Sequence, residues 1–334
     1  MKKSKLTLIL LSTILITSCG NKKSTIQAEE VANDSVSTSK VYFTKEITPE
    51  SLVKIYETLG VEPQGKVAVK ISTGESAQSY NLKPELIKEL VQKVNGTLVE
   101  SNTAYSGNRN TTEAHLKAAA ERGYLDIAEL DIMDSEGDLK IPVNDTTWIK
   151  YDIVGSHLPN YDFMINLAHF KGHQMGGFGG VLKNASIGVA STAGKTYIHS
   201  AGRTEDWEHI WEYTDNQDGF IESMASAAQG VHNYFKQPGK DIVYIDVMNN
   251  MSIDCDCNGH PTAPGLKDMG IMASTDPVAL DKAALDMVFN HESVEGDDAQ
   301  PMIDRIKDLH GTHIIDHAEK IGLGTTNYTL IKLD

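Results

Sequence analysis

Short apolar runs alternate with amphipathic stretches along this chain, and polar, glycine-bearing turns separate them. KVAVKIS (66–72) reads as a strand, and PELIKELVQKV (84–94) as a helix stopped by Asn95-Gly96. A second strand follows at 97–101. That order is the βαβ unit of a parallel sheet. Upstream, 41–60 is helical in pattern: Thr48-Pro49 forms the cap, Leu52, Ile55, Tyr56 and Leu59 share one face, and Gly60 closes it. Downstream, Thr111 or Thr112 can cap a helix over about 113–122. Region 127–154 mixes strand-like pieces (IAELDIM, LKIPV) with acidic turns. YDFMINL (161–167) and DIVYIDVM (241–248) read as buried strands. A helix lies within 206–235, a short strand at 269–274, and Asp276-Pro277 caps a helix through Phe289. The tail from about Pro301 reads as a helix and a final strand over 328–333. The expected fold is α/β: a largely parallel core sheet flanked by helices, with a glycine-rich ligand loop at a strand's carboxyl end.

That loop belongs to the stretch 166–199, NLAHFKGHQMGGFGGVLKNASIGVASTAGKTYIH, which leaves one of the buried strands. Gly172, Gly176, Gly177, Gly179 and Gly180 crowd together among His169, Lys171 and His173, with Lys183 and His199 close behind. Basic side chains beside exposed backbone N–H groups suit a carboxylate or phosphate. A lysine held there, Lys183, can have a lowered pKa and act as a nucleophile. The plainer alternative is a turn that needs glycine for close packing. A second polar loop, SGNRNTTE (106–113), puts Arg109 ahead of a helix N-terminus, where an anion is favoured. Trp207, Trp211 and Tyr213 are expected to pack rather than to wall a pocket.

The two ends of the chain and its charge narrow the setting. Lys2, Lys3 and Lys5 precede an apolar run over 6–16, too short to anchor as a span. Ile16-Thr17-Ser18-Cys19 resembles a bacterial lipoprotein box, which implies lipidation of Cys19, removal of 1–18 and a place in the cell envelope outside the cytoplasm. Residues 19–40 are polar without apolar period and read as a flexible tether, leaving 41–334 as the folded domain. The formal charge is −16; without the three leader lysines, 27 basic residues face 46 acidic ones, or −19. Such a chain is not a nucleic-acid binder, and it is repelled by anionic lipid, so the lipid anchor has to hold it at the membrane. The partner expected is a small anionic molecule.

Cys255 and Cys257 are the only cysteines besides Cys19. Two thiols one residue apart read as joint ligands of a metal or as a redox pair, because a bridge between them would close a very small ring. Asp254 and His260 add a carboxylate and an imidazole, and His173 or His199 could complete the coordination. The cofactor expected is a transition metal (nickel, iron or zinc) or an iron–sulfur cluster. A buried turn with two inert thiols is the alternative. His310, His313 and His317 are metal-like in spacing, but Gly311 interrupts them.

Region 163–190, together with DCDCNGHPTAPGLKDMGIMASTDPVALD, resembles the domain-of-unknown-function family 362 (DUF 362), from about Val41 to the end. Members sometimes carry a ferredoxin insert with clustered cysteines; this chain has none. A more distant resemblance is to nickel-dependent lactate racemases. Their pattern is His, three residues, Gly-Phe-Ser-Gly-Gly, one residue, Lys, then His sixteen positions on. His173, Gly177-Phe178-Gly179-Gly180, Lys183 and His199 fall in that register. The resemblance implies a small anionic substrate, with His173 as acid/base, Lys183 as tether of a nickel-pincer nucleotide and His199 as nickel ligand. Arg109 would face them across the substrate. Two departures matter. The family's other catalytic histidine sits in Gly-Thr-His-Arg-Pro, where this chain has Gly107-Asn108-Arg109-Asn110. Gly179 stands where the family has serine. A racemase needs two opposed acid/bases, so the reaction itself does not carry over. The competing readings are a non-catalytic metal- or cofactor-binding lipoprotein and a redox protein using Cys255 and Cys257.

Overall fold

The computed structural model describes residues 38–334. The leader, Cys19 and most of the expected tether lie outside them. In chain order the elements are β1 (Ser39–Thr44), α1 (Pro49–Thr58), β2 (Val67–Lys70), α2 (Pro84–Lys93), β3 (Thr97–Glu100), α3 (Thr112–Glu121), β4 (Leu130–Ile132), β5 (Asp138–Ile141) and β6 (Asp152–Gly155). There follow β7 (Phe163–His169), β8 (Lys171–His173), β9 (Gly177–Gly179), α4 (Val181–Ala185), α5 (Thr192–His199), α6 (Gln217–Phe235) and β10 (Asp241–Met248). The chain finishes with β11 (Gly270–Ser274), α7 (Pro277–Phe289), α8 (Gln300–Asp308), α9 (His313–Lys320) and β12 (Tyr328–Lys332).

Eight strands form one sheet in the order β12-β1-β11-β10-β7-β2-β3-β4. Only β11 runs antiparallel to its neighbours; every other pairing in the sheet is parallel. The sheet is therefore largely parallel, as expected. Its central strands are buried along all or nearly all of their length, which is what helices on both faces require. Side chains of β7 alternate between two apolar layers. Met164 and Ala168 join the layer under α4, α6 and α7, whereas Phe163, Ile165 and Leu167 join the layer with α1 and α2. Local caps set the helix starts. Thr111 accepts from Ala114 N, and Asp276 accepts from Val278 N and Ala279 N ahead of Pro277.

The strand read at 161–167 lies two residues on, at 163–169, and three larger differences from the sequence reading stand out. The first part of 41–60 is a strand, because Val41 and Phe43 alternate inward on β1 before Thr48 caps α1. β1 begins at Ser39, inside the last residues assigned to the tether, and pairs with β12. The tail holds two helices, α8 and α9, not one, since Gly311 separates them. Among the described residues no helix is long and apolar enough to cross a membrane.

Candidate functional site

Parallel strands deliver their last residues to one edge of the sheet. Here those residues are ionisable: β2 ends in Lys70, β3 in Glu100 and β7 in His169. Over this edge lies a cavity of about 430 Å³. Lys70, Glu100, Tyr105 and Arg109 line one side, and Lys171, His173, Lys183, Asn184, Lys195 and His199 line the other. Trp211, Asp256 and Cys257 complete the wall.

The strand side is a closed ion-pair network. Glu100 Oε2 meets Lys70 Nζ at 2.9 Å, and its Oε1 meets Arg109 Nη1 at 3.2 Å. Arg109 Nε pairs with Glu75 at 3.1 Å, and its Nη2 donates to the Tyr105 hydroxyl at 3.2 Å. Burial opposes ionisation of Glu100, but the Lys70 and Arg109 charges outweigh it and hold the carboxyl well below its ordinary range. Arg109, read from the sequence as a catalytic anion clamp, is only 5% exposed and has its guanidinium committed to two carboxylates. It braces the cavity wall. Lys171 is likewise matched, to Asp256 at 3.0 Å, and His169 to the same carboxylate at 2.9 Å.

The two helix lysines have no carboxylate in contact. The side-chain amine of Lys183, on α4, makes no ion pair or hydrogen bond among the described residues. Burial, with the Lys171 charge added, lowers its pKa to about 7. Lys195, on α5, donates to the carbonyl of Ala190, and burial lowers it to about 8. Both imidazoles are kept neutral. Burial, then the Lys183 charge, takes His173 well down, and burial takes His199 to about 4. Their tautomers are opposite. His173 Nδ1 accepts from the N–H groups of Met175 (3.1 Å) and Gly176 (2.9 Å), so its proton sits on Nε2. His199 Nδ1 donates to the Lys195 carbonyl at 2.7 Å, which leaves a lone pair on Nε2. One ring offers a donor and the other an acceptor.

The glycine stretch forms a hairpin, β8 against β9, and then starts α4. Of the glycines assigned to cofactor binding, Gly180 lines the cavity, while Gly177 and Gly179 do not. Gly177 (φ 80°) turns the hairpin, and a Cβ there would meet Gly311 Cα at 2.9 Å, so its role is packing against the tail. At Gly180 a Cβ would fall 2.3 Å from Asp281 Oδ1. That approach lets Asp281 accept from Val181 N (2.8 Å) and Leu182 N (2.9 Å) and fixes the helix that carries Lys183.

The cysteine loop departs most from expectation. Cys255 and Cys257 form a disulfide, with Cα atoms 5.2 Å apart, inside the usual range. Neither sulfur is then a thiolate, so the proposed metal set of Cys255, Cys257, His260, His199 and Asp254 is not assembled. His260 is exposed, and Asp254 Oδ2 is taken by the backbone and hydroxyl of Thr262. His173, not His260 or His199, is the imidazole near the sulfurs, within 4.8 Å. The nitrogen it has free carries a proton, which is wrong for a ligand. Trp211, expected to pack, is 61% exposed and lines the cavity; Trp207 is 41% exposed. Lys70, Glu100 and Lys195 were not assigned to the site from sequence. A signal existed for the first two: a charge closing each of two otherwise apolar strands.

The fold and this edge define an α/β protein with a lysine- and histidine-lined cavity at the carboxyl ends of parallel strands. The chain belongs to the family described as Domain of unknown function (DUF362), whose model matches residues 67–286. The cavity-lining residues named above fall inside that segment, while α8, α9 and β12 fall beyond it. No curated protein matches the chain. Among solved structures, it is similar to the lactate racemase apoprotein from Thermoanaerobacterium thermosaccharolyticum, with 15% identity over 74% of this chain and 56% of that one, at TM-score 0.42. A Thermotoga maritima protein is similar at 12% identity over 69% of this chain and 55% of that one, at TM-score 0.41. The chain thus spans little more than half the length of either.

Proposed function

We propose that this cavity takes up a small carboxylate and that Lys183 acts on it between two neutral imidazoles. The observation that carries the reading is Lys183 itself: an amine without a carboxylate partner, in a cavity whose carboxylates are already matched to other cations. As an ammonium it attracts the carboxylate. As a free amine, which its lowered pKa makes available near neutrality, it is a nucleophile toward a carbonyl or a base. His173 Nε2–H can donate to a substrate oxygen, and His199 Nε2 can accept a proton. The register His173, Lys183, His199 supports a metal-bearing cofactor tethered through Lys183, since an amine nucleophile and an imidazole lone pair are the groups it needs. When bound it would supply a Lewis-acid centre, with Cys255 and Cys257 outside its ligand set. The lipoprotein-like 16–19 motif supports an exported, membrane-tethered protein, and a Cys255–Cys257 disulfide suits an oxidising compartment.

The test is trapping. Pyruvate with cyanoborohydride should add one group to Lys183, seen by intact mass and peptide mapping. The adduct should vanish in Lys183→Met and persist in Cys257→Ser. No adduct, together with no saturable carboxylate binding near pH 7, removes the reading. A second reading, dithiol/disulfide redox chemistry, is favoured by Cys257 lining the same wall. There an external dithiol would supply two electrons and two protons, opening the bridge to two thiols and itself closing to a disulfide. Reversible reduction coupled to ligand binding, lost in Cys257→Ser, would mark it.

A further inference from the structure

A second constellation lies apart from the cavity-lining groups, where α6 and α9 pack together. α9 begins at His313, so His313 and His317 are one helical turn apart and share a face. The sequence grouped them with His310, but His310 is turned away at φ 52° and pairs with Asp218 at 2.9 Å. The partner of His313 and His317 is Glu222, from α6. Glu222 Oε1 stands 2.9 Å from His313 Nε2, which donates to it, and 3.3 Å from His317 Nδ1. A metal at His313 Nε2 would displace that proton, which the other ring nitrogen can carry, unlike His173, whose Nδ1 is held by two N–H donors.

The tautomer of His317 makes this arrangement informative. Its Nε2 lies 2.8 Å from Asp145 Oδ2, and a carboxylate can only accept, so the proton of the neutral ring sits on Nε2. That puts a lone pair on Nδ1, in a side chain only 4% exposed. Nδ1 is buried without a hydrogen-bond partner, and what it faces is another acceptor, Glu222 Oε1. Two acceptors at that distance are matched only by a cation between them, a proton or a metal ion. Glu222 cannot swing away, because its Oε2 accepts from Trp148 Nε1 at 2.6 Å. Asp145 is held as firmly, by Thr147 through Oδ1 and by Ser226 through Oδ2.

We infer that Glu222, His313 and His317 bind a divalent transition metal, zinc above all, with Asp145 orienting His317 from behind. Ligand atoms around tetrahedral zinc, at bonds of about 2.0–2.1 Å, stand roughly 3.3 Å apart. The spacings of 2.9 and 3.3 Å here are close to that before any adjustment. A carboxylate behind a ligating histidine is the recurrent means of fixing its ring. Two imidazoles select zinc, nickel or cobalt over calcium or magnesium, which prefer oxygen alone. The carboxylates of Glu222 and Asp145 also bring negative charge to the position a divalent ion would take. His313 is 35% exposed, which gives the ion a path in and leaves a fourth position toward solvent. Such an ion would clamp α9 to α6, and α6 also carries Phe220, which stacks on His199 at 4.7 Å. The proposal is independent of what the cavity binds.

The test is a zinc titration of the full chain after chelator treatment, followed calorimetrically and by elemental analysis. One equivalent should bind, with a rise in Tm that scales with free zinc. His313→Ala and Glu222→Gln should each abolish the equivalent and the Tm rise. Asp145→Asn should weaken binding about 10–100-fold. His173→Ala and His310→Ala should change neither. Glu222→Gln keeps an oxygen for Trp148, so its fold, checked by circular dichroism, separates lost binding from lost structure. Cobalt(II) should give a tetrahedral spectrum without thiolate charge-transfer bands. Failure of the folded wild-type chain to take up zinc, retention of the equivalent in both His313→Ala and Glu222→Gln, or its loss in His173→Ala would overturn the assignment.

Discussion

The two sides of the cavity treat buried charge in opposite ways. On the strand side, Lys70 and Arg109 share Glu100, and Glu75 takes the rest of the guanidinium. On the helix side, Lys183 and Lys195 are buried with no carboxylate in contact. A cation removed from water keeps its proton only if a partner replaces the lost hydration. Arg109 is accordingly raised above its ordinary value, Tyr105 and the two carboxylates outweighing burial; Lys70 is lowered by burial despite Glu100, and Lys183 and Lys195, with no carboxylate in contact, fall toward neutrality. The same cavity thus holds a fixed scaffold of charges and a pair of amines that can change state near physiological pH. The first is suited to stability and the second to chemistry.

That contrast can be broken most forcefully at Glu100. Glu100→Gln strips both Lys70 and Arg109 of a shared partner and should cost about 3–5 kcal/mol in urea denaturation. A cost below about 1 kcal/mol would show that the network does not hold the strand side together. Next comes the brace of the helix side. Gly180→Ala would put a methyl against Asp281, whose carboxylate holds the start of α4, and should cost about 1–3 kcal/mol. Adduct formation at Lys183 should fall with it. Were stability to drop while trapping stayed at the wild-type level, the placement of Lys183 would not depend on that contact.

Lys183→Met should cost little, about 0.5 kcal/mol or less, or stabilise, because it removes a buried cation that has no partner. Its clearer signature is in pH. The folded pKa of Lys183 is near 7, below the unfolded value, so the unfolded chain binds more protons between those two values. Stability from this group is therefore gained as pH rises from about 7 toward the unfolded lysine pKa, and lost as pH falls back through 7. Wild type minus Lys183→Met should show that positive slope; a flat difference would mean Lys183 is protonated throughout. The smallest effect is expected at the mouth. Trp211→Ala should leave stability within about 0.5 kcal/mol and loosen carboxylate binding modestly, as a half-open wall residue does. An unchanged affinity would place the ligand deeper, among the lysines.

Much of the frame was legible beforehand because its signals are local. The capped starts at Thr111 and Asp276 and the apolar runs of β7 and β10 depend on neighbours in sequence, and each lies within two residues of where its pattern places it. The opening segment misled because one pattern ran into another: Val41 and Phe43 obey a period of two, and Leu52, Ile55 and Leu59 a helical one. In the site, His173, Lys183 and His199 were found through a motif, and the cavity gathers all three. Arg109 lines the same cavity, but its neutralisation could not be read ahead, since Glu75, which helps to neutralise it, lies far back in the chain. The metal reading of the cysteines rested on ring size, while their backbone spacing allows the bridge, which is compatible with the redox pair also expected.

By itself, then, the sequence determined an α/β chain with a buried parallel sheet, an acidic surface, and a basic, glycine-rich turn leaving a central strand. Periodicity, capping and composition are properties of neighbouring residues, and they survive without a fold. Which lysine has a partner is not such a property. Glu100 reaches Lys70 only because β2 and β3 lie side by side, and Asp281 reaches Val181 across a separation of a hundred residues. The protonation of Lys183, the tautomers of His173, His199 and His317, and the meeting of Glu222 with α9 all depend on what burial removes and what a distant segment supplies. Tertiary structure decided those, because desolvation and charge act through space and not along the chain.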